Sequence, residues 1–515
     1  MTSVTGGLKK CNISLSKMPK EEEQKPLLGA PSTKPRSFLN AMVLCGLMMV
    51  LYISGFISLV PLLSQFVRNR VAERYSNNSN GSVSTGDVCK RNNSDDNIKL
   101  GIIIQQDSSE LLLITTLPGS IIAILVNLVL GSYSDFLGRR FLFFVPTLGA
   151  ALKVTLLCFI IGFHMSLNWL YLAYILEGFT GGFTAFLLAV FSYTADVTTP
   201  GKKRTVMIAL MEGILAVAGA VGQVAVGFII EDVNYLYAAI MIAAIFGLAL
   251  IVIITLLPET MTNKMEKRWS PLPHIKKVFG FFFTRGSGKQ RAMYILAMLI
   301  FYFGVIVNLG RTSVETLYQL DKPFCWSPLK IGFYGAIRLS FTVACSVVGL
   351  KLLQPCFRDM TIALIGLAFG AASFVMEGLA VNDWMLYSVP AIGFIAFNVV
   401  PVARATMSKM TSPLEQGALF SSIAAMETIC NTMSNTLYNT VYQSTVGVFR
   451  GAVFIMMAGF GVLTSCFIVI FLCISRNSGD LVYEVTIPPT KNDVTVNKEE
   501  TASSPHTCTD TTNNE

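Results

Sequence analysis

The chain has 515 residues, 53% hydrophobic and only 14% charged, with a mean hydropathy of +0.59 and a formal net charge of +8. That is more apolar side chain than one water-soluble core can bury, so lipid must solvate much of it. The basic balance does not point to nucleic acid, because the cations crowd segments that flank apolar runs, as in membrane proteins that keep basic loops in the cytosol.

In chain order, residues 1–36 read as a cytosolic N-terminal tail, since Lys9, Lys10, Lys17, Lys20, Lys25, Lys34 and Arg36 precede the first apolar run. Within it, Glu23, Leu27 and Leu28 have the spacing of an acidic dileucine sorting signal, to be read by an adaptor, or else belong to plain disordered tail. So long a polar lead before the first apolar run is not the pattern of a cleavable signal peptide. Runs of roughly twenty apolar residues, each able to cross a ~30 Å hydrocarbon layer as a helix, then recur about twelve times. Their centres fall near Met49, Ile121, Leu152, Phe183, Ala216, Ala243, Ile300, Val343, Leu367, Pro390, Met426 and Ala458.

Between the first two runs, residues 67–108 read as an exterior loop that carries the glycosylation sequons of Asn77, Asn80 and Asn92. Cys89 lies in this loop and Cys325 in the exterior segment between runs seven and eight, either as a pair joined in an oxidising compartment or as two free thiols. The basic residues of 259–291, among them Lys264, Lys267, Arg268, Lys276 and Lys277, place that loop in the cytosol. The division is therefore 37–258 as a six-helix bundle, 259–291 as the central loop, 292–474 as a second six-helix bundle, and 475–515 as a disordered cytosolic tail. Both termini are expected in the cytosol of a multi-pass protein of the plasma membrane or the endosomal and lysosomal membranes.

Six charged residues lie inside apolar runs, where an ionised side chain costs at least ~2.5 kcal/mol: Lys153, Glu177, Glu212, Arg338, Arg404 and Glu427. A buried carboxylate is disfavoured in its charged form, so Glu212 and Glu177 are candidates for proton coupling. Arg404, Arg338 and Lys153 are candidates to receive an anionic solute. Static interhelical ion pairs or snorkelling at span ends are the competing readings of the same residues. Nothing in the sequence suggests an enzyme, a cofactor or a metal. His164, His274 and His506 are scattered without ligand spacing, and no phosphate-binding G-x-x-x-x-G-K-[ST] loop is present.

Gly131, Asp135, Gly138, Arg139 and Arg140 stand between runs two and three in the order G-x-x-x-D-x-x-G-R-R, which resembles the signature loop of the major facilitator superfamily. The glycines permit a tight turn, and the charges can bond across helix ends, so these five residues read as a conformational gate. The resemblance implies an all-α membrane protein of the major-facilitator fold, about twelve transmembrane helices in two six-helix bundles, acting as a secondary transporter.

A closer resemblance covers roughly 121–471. Pro401-Val-Ala-Arg404-Ala-Thr-Met-Ser408-Lys409, Glu415-Gln-Gly-Ala-Leu-Phe420, Leu437 to Tyr442, Ala195-Asp196 with Arg204-Thr205, and Pro323-Phe-Cys325-Trp are similar to stretches of the proton-coupled folate transporter (solute carrier 46) family. This implies proton coupling at Glu212, a substrate-linked role for Arg404, an acidic residue near the substrate path at Glu177, and a disulfide between Cys89 and Cys325. It also supports Asp135 and Arg139 as gate residues. Where the folate carrier has a histidine in span seven, this chain has Asn308, which cannot titrate. The expected partners are therefore a proton and a small organic anion, folate-like or other, with lipid around them. Facilitated uniport, export from lysosomes, and a non-transporting receptor or scaffold are the alternatives.

Overall fold

The computed structural model describes residues 35–77, 95–198, 202–259, 288–353, 357–393, 399–410 and 416–476. These are nearly all helical. The first half comprises α1 (Pro35–Asn77), α2 (Asp95–Leu137), α3 (Arg139–Gly162), α4 (Trp169–Gly178), α5 (Gly182–Val197), α6 (Lys202–Asp232) and α7 (Tyr235–Thr255). The second comprises α8 (Gly288–Asn308), α9 (Arg311–Leu320), α10 (Pro328–Leu353), α11 (Asp359–Gly378), α12 (Asp383–Ile392), α13 (Val399–Lys409), α14 (Gln416–Thr445) and α15 (Ala452–Arg476).

Nine stretches among the described residues are long and apolar enough to span a membrane. Each of the twelve expected centres falls on a helix of this series. The three not counted among the nine are α10, the α12 and α13 pair, and α14. In α14, apolar residues give way to Ser, Thr and Asn, whose hydroxyls bond back to carbonyls one turn earlier, as Thr428 does to Ala424 at 2.9 Å.

The loop expected over 67–108 is shorter than its composition suggests. Helix α1 continues to Asn77 and α2 begins at Asp95, because Val67, Val71 and Ala72 extend the buried stripe of α1 while Gln105, Ser108 and Ser109 of α2 are buried. Asn77 is the last residue of α1. Cys89, Asn80 and Asn92 lie outside the described residues, as do Glu23, Leu27 and Leu28.

Two seams join the halves, α2 against α14 and α6 against α10. Along the first, Gln106 donates to the Gln443 carbonyl at 3.1 Å and Ser109 to the Asn439 carbonyl at 3.0 Å, while Gln105 of the same helix donates to the Leu317 carbonyl of α9 at 3.1 Å. Deeper in, Asn127 of α2 donates to Thr184 of α5 at 2.8 Å and to Thr428 of α14 at 3.2 Å. Helices α2 and α4 approach backbone to backbone where Gly119 meets Gly178, a crossing that any Cβ would block.

Candidate functional site

The turn at Gly138 holds φ at 92°, a left-handed backbone suited to glycine, and releases Arg139 and Arg140 into the first turn of α3. Their two amide N–H groups donate to Glu259 at 2.8 and 3.2 Å, so a carboxylate from the end of the first half caps this helix. The Arg139 guanidinium reaches Asp196 of α5 with Nε at 2.6 Å and Nη2 at 3.3 Å. Arg140 turns the other way, to the carbonyl of Ile253 at 2.9 Å. Gly131 and Asp135 lie on the last turns of α2, with the Asp135 side chain outside the described set.

Of the six charged residues expected within spans, four form two ion pairs. Lys153 Nζ stands 2.6 Å from Glu177 Oε2 and 4.2 Å over the Tyr174 ring, nearly sealed from solvent. Arg404 pairs with Glu427, and its guanidinium lies 5.4 Å over Phe191 of α5 and 5.6 Å over Phe301 of α8. Arg404 thus belongs to the second half yet touches an aromatic face of the first. Glu212 is on α6, a seam helix, and Asn308 ends α8; the side chains of both lie outside the described residues.

Arg338 belongs to a cluster that the hydropathy reading missed. Gly310, at φ 74°, breaks the helix after α8 and starts α9, which turns Arg311 and Glu315 inward. Arg311 Nη2 lies 2.5 Å from Glu377 Oε2 of α11 and 3.2 Å from Glu315 Oε1. Arg338 Nη2 lies 3.4 Å from Glu315 Oε2 and donates to Thr312 at 3.1 Å. Arg311 also stacks 4.8 Å over Phe374. All four charges are shielded, and Glu377 is fully buried at 0% exposure. The available signal was Gly310 after an apolar run, followed by a cation and an acid four residues apart on one helix face.

Cys325 is disulfide-bonded, and among the described residues Cys45, Cys158, Cys430, Cys466 and Cys473 are free thiols. No group of His, Cys, Asp and Glu suited to a metal occurs among the described residues.

Two helical halves, a capped turn between the second and third spans and buried charge inside both halves are the features that any family assignment must account for. The model of the Major Facilitator Superfamily matches residues 98–435. The chain belongs to this superfamily. It is a multi-pass membrane protein and a secondary-active transporter. The lysosomal proton-coupled steroid conjugate and bile acid symporter SLC46A3 of Gallus gallus is 26% identical over 82% of this chain and 92% of its own. The proton-coupled folate transporter of Bos taurus is 28% identical over 66% of this chain and 74% of its own. Among solved structures, the human organic anion transporter MFSD10 superposes with a TM-score of 0.59 at 15% identity, covering 85% of this chain and all of its own. That likeness describes the fold of this superfamily member.

Proposed function

We propose that this transporter moves an anionic organic solute together with a proton, through a path between its two halves. One observation carries the reading: Arg404, a cation of the second half, is flanked by the rings of Phe301 and of Phe191 from the first. A guanidinium close to an aromatic ring from each half suits an anionic group attached to a flat or ring-fused apolar body. Folate, steroid conjugates and bile acids, the solutes named for the relatives, all have that character. Glu212, on seam helix α6, is the proposed proton-coupling residue. The bonds of Arg139 and Arg140 near Gly131 and Asp135 are the proposed gate on the cytosolic side.

In this reading Lys153 and Glu177 neutralise each other within the first half, and both termini are cytosolic. Cys325 joins Cys89 across the exterior loops, and Asn77, Asn80 and Asn92 carry glycans. Glu23, Leu27 and Leu28 address the chain to endosomes or lysosomes through an adaptor, and otherwise it resides in the plasma membrane.

The test is uptake of taurocholate and folate by the full chain in liposomes, with and without an acid-outside pH gradient. At least one should accumulate only with the gradient. Glu212→Gln should lose accumulation while retaining exchange. Arg404→Ala should weaken uptake about tenfold, as expected for a charged hydrogen bond worth ~1.5 kcal/mol. Accumulation that ignores the pH gradient would refute proton coupling, and an Arg404→Ala chain with undiminished uptake would free that residue from substrate binding.

A further inference from the structure

A cavity of about 60 Å³ lies within the second half, between α8, α10, α11 and α12. Its charged walls are Arg311 and Arg338, and the rest is apolar side chain, glycine and Ser373. By volume it has room for roughly four water molecules or one small oxyanion group. Glu315 stands against both guanidiniums, at 3.2 and 3.4 Å, and Glu377 against Arg311 at 2.5 Å. Two cations and two carboxylates leave the cluster formally neutral. Yet Arg311 Nε and Glu377 Oε1 are buried with no hydrogen-bond partner among the described residues.

An arginine that faces a cavity with a spare N–H is arranged to bind a carboxylate, sulfonate or phosphate oxygen. An anion entering here would bring one negative charge into a neutral, largely buried cluster, which is costly unless another charge disappears. The titratable groups facing Glu377 are Arg311, Glu315 and Tyr318 of α9 and Tyr334 and Arg338 of α10. Arginine keeps its proton at any physiological pH, and tyrosine is already neutral there. Glu315 is held by two guanidiniums. Glu377, at 0% exposure and with Oε1 lacking a hydrogen-bond partner among the described residues, is the carboxylate that gives up its charge at least cost.

We infer that this cavity is a second anion subsite, separate from Arg404, and that Glu377 takes up one proton as the subsite fills. The O–H bond forms on Glu377 with a proton from the acidic side, its ion pair with Arg311 breaks, and Arg311 turns to the incoming anion. Charge is conserved at one proton per anionic group, so the loaded cluster is as neutral as the empty one. The inference rests on the proton-coupled reading above and adds a second proton site, distinct from Glu212.

The experiment has two arms on the full chain. In detergent, infrared difference spectra are taken on adding methanesulfonate, which has no carbonyl band, against chloride at equal ionic strength and fixed pH. The expected result is a new protonated-carboxyl band in the wild type, absent in Glu377→Gln and retained in Glu377→Asp. No such band in the wild type, or the same band in Glu377→Gln, would overturn the inference.

In liposomes, taurocholate exchange and pH-driven accumulation are measured side by side. One pH unit supports at most about tenfold accumulation at one proton per anion. Glu377→Gln should exchange taurocholate but stay at equal concentrations inside and out. If it still concentrates taurocholate, the inference fails while symport stands. If the wild type does not concentrate taurocholate with the gradient, the symport reading fails for this probe, and the infrared arm still decides Glu377.

Discussion

The two halves bury charge in different ways. In the first, the interior is built from rings: Tyr52 stacks on Phe186 at 3.7 Å, and Phe143 meets Phe186 edge-on at 5.5 Å. The described ion pair of its interior, Lys153 with Glu177, is matched one to one and covered by Tyr174. In the second, Arg311 serves two carboxylates, Glu315 serves two guanidiniums, and both arginines border a cavity. The matched pair neutralises itself with one cation and one anion, although Glu177 Oε1 has no hydrogen-bond partner among the described residues. The shared network borders a cavity, and the charges of Arg311 and Glu315 are divided between two partners each.

Removing a cation should separate the halves most sharply. Arg311→Ala strands Glu377 and half-strands Glu315, and should cost roughly 3–5 kcal/mol of stability, the range for breaking a buried pair. Lys153→Ala strands one carboxylate and should fall at the low end of that range or below it. Denaturant unfolding of both variants in detergent measures the difference, and equal losses would erase the distinction between pair and network. A smaller effect is expected when the closed pair is replaced whole. Lys153→Met with Glu177→Leu should leave stability within about 1 kcal/mol of the wild type, because the desolvation penalty disappears with the attraction. A loss as large as that of Lys153→Ala would mean that the pair contributes more than its own neutralisation. The smallest effect belongs to Lys330, which pairs with Asp383 where the side chains are 34% and 42% exposed. Solvent screening there should hold the cost of Lys330→Ala below about 1 kcal/mol, even with the Trp326 ring 4.9 Å from the ammonium.

Apolar run length located the helices well, since a lipid-crossing helix has a composition that few other structures share. It misjudged the ends of α1 and α2, where buried Gln105, Ser108 and Ser109 serve the seam between halves and read as loop. The Gly138 turn was legible because its glycine and two arginines are contiguous. Glu259, which completes it, lies more than a hundred residues further on, so no local pattern connects them. Arg404 and Lys153 stood out as cations inside apolar runs, but their partners Glu427 and Glu177 are set by helix packing. Arg311, Glu315 and Glu377 escaped because each sits at the end of a run, where an isolated charge reads as an interfacial residue. The break at Gly310 and the turn it makes are three-dimensional facts.

The Glu259 cap has a mechanical consequence. Its two bonds clasp the last described residue of the first half to the start of α3, next to the turn at Gly138. The stretch that follows α7 is thereby moored to the start of α3, so these two helices are coupled at this end of the first half and a displacement of one must be shared by the other.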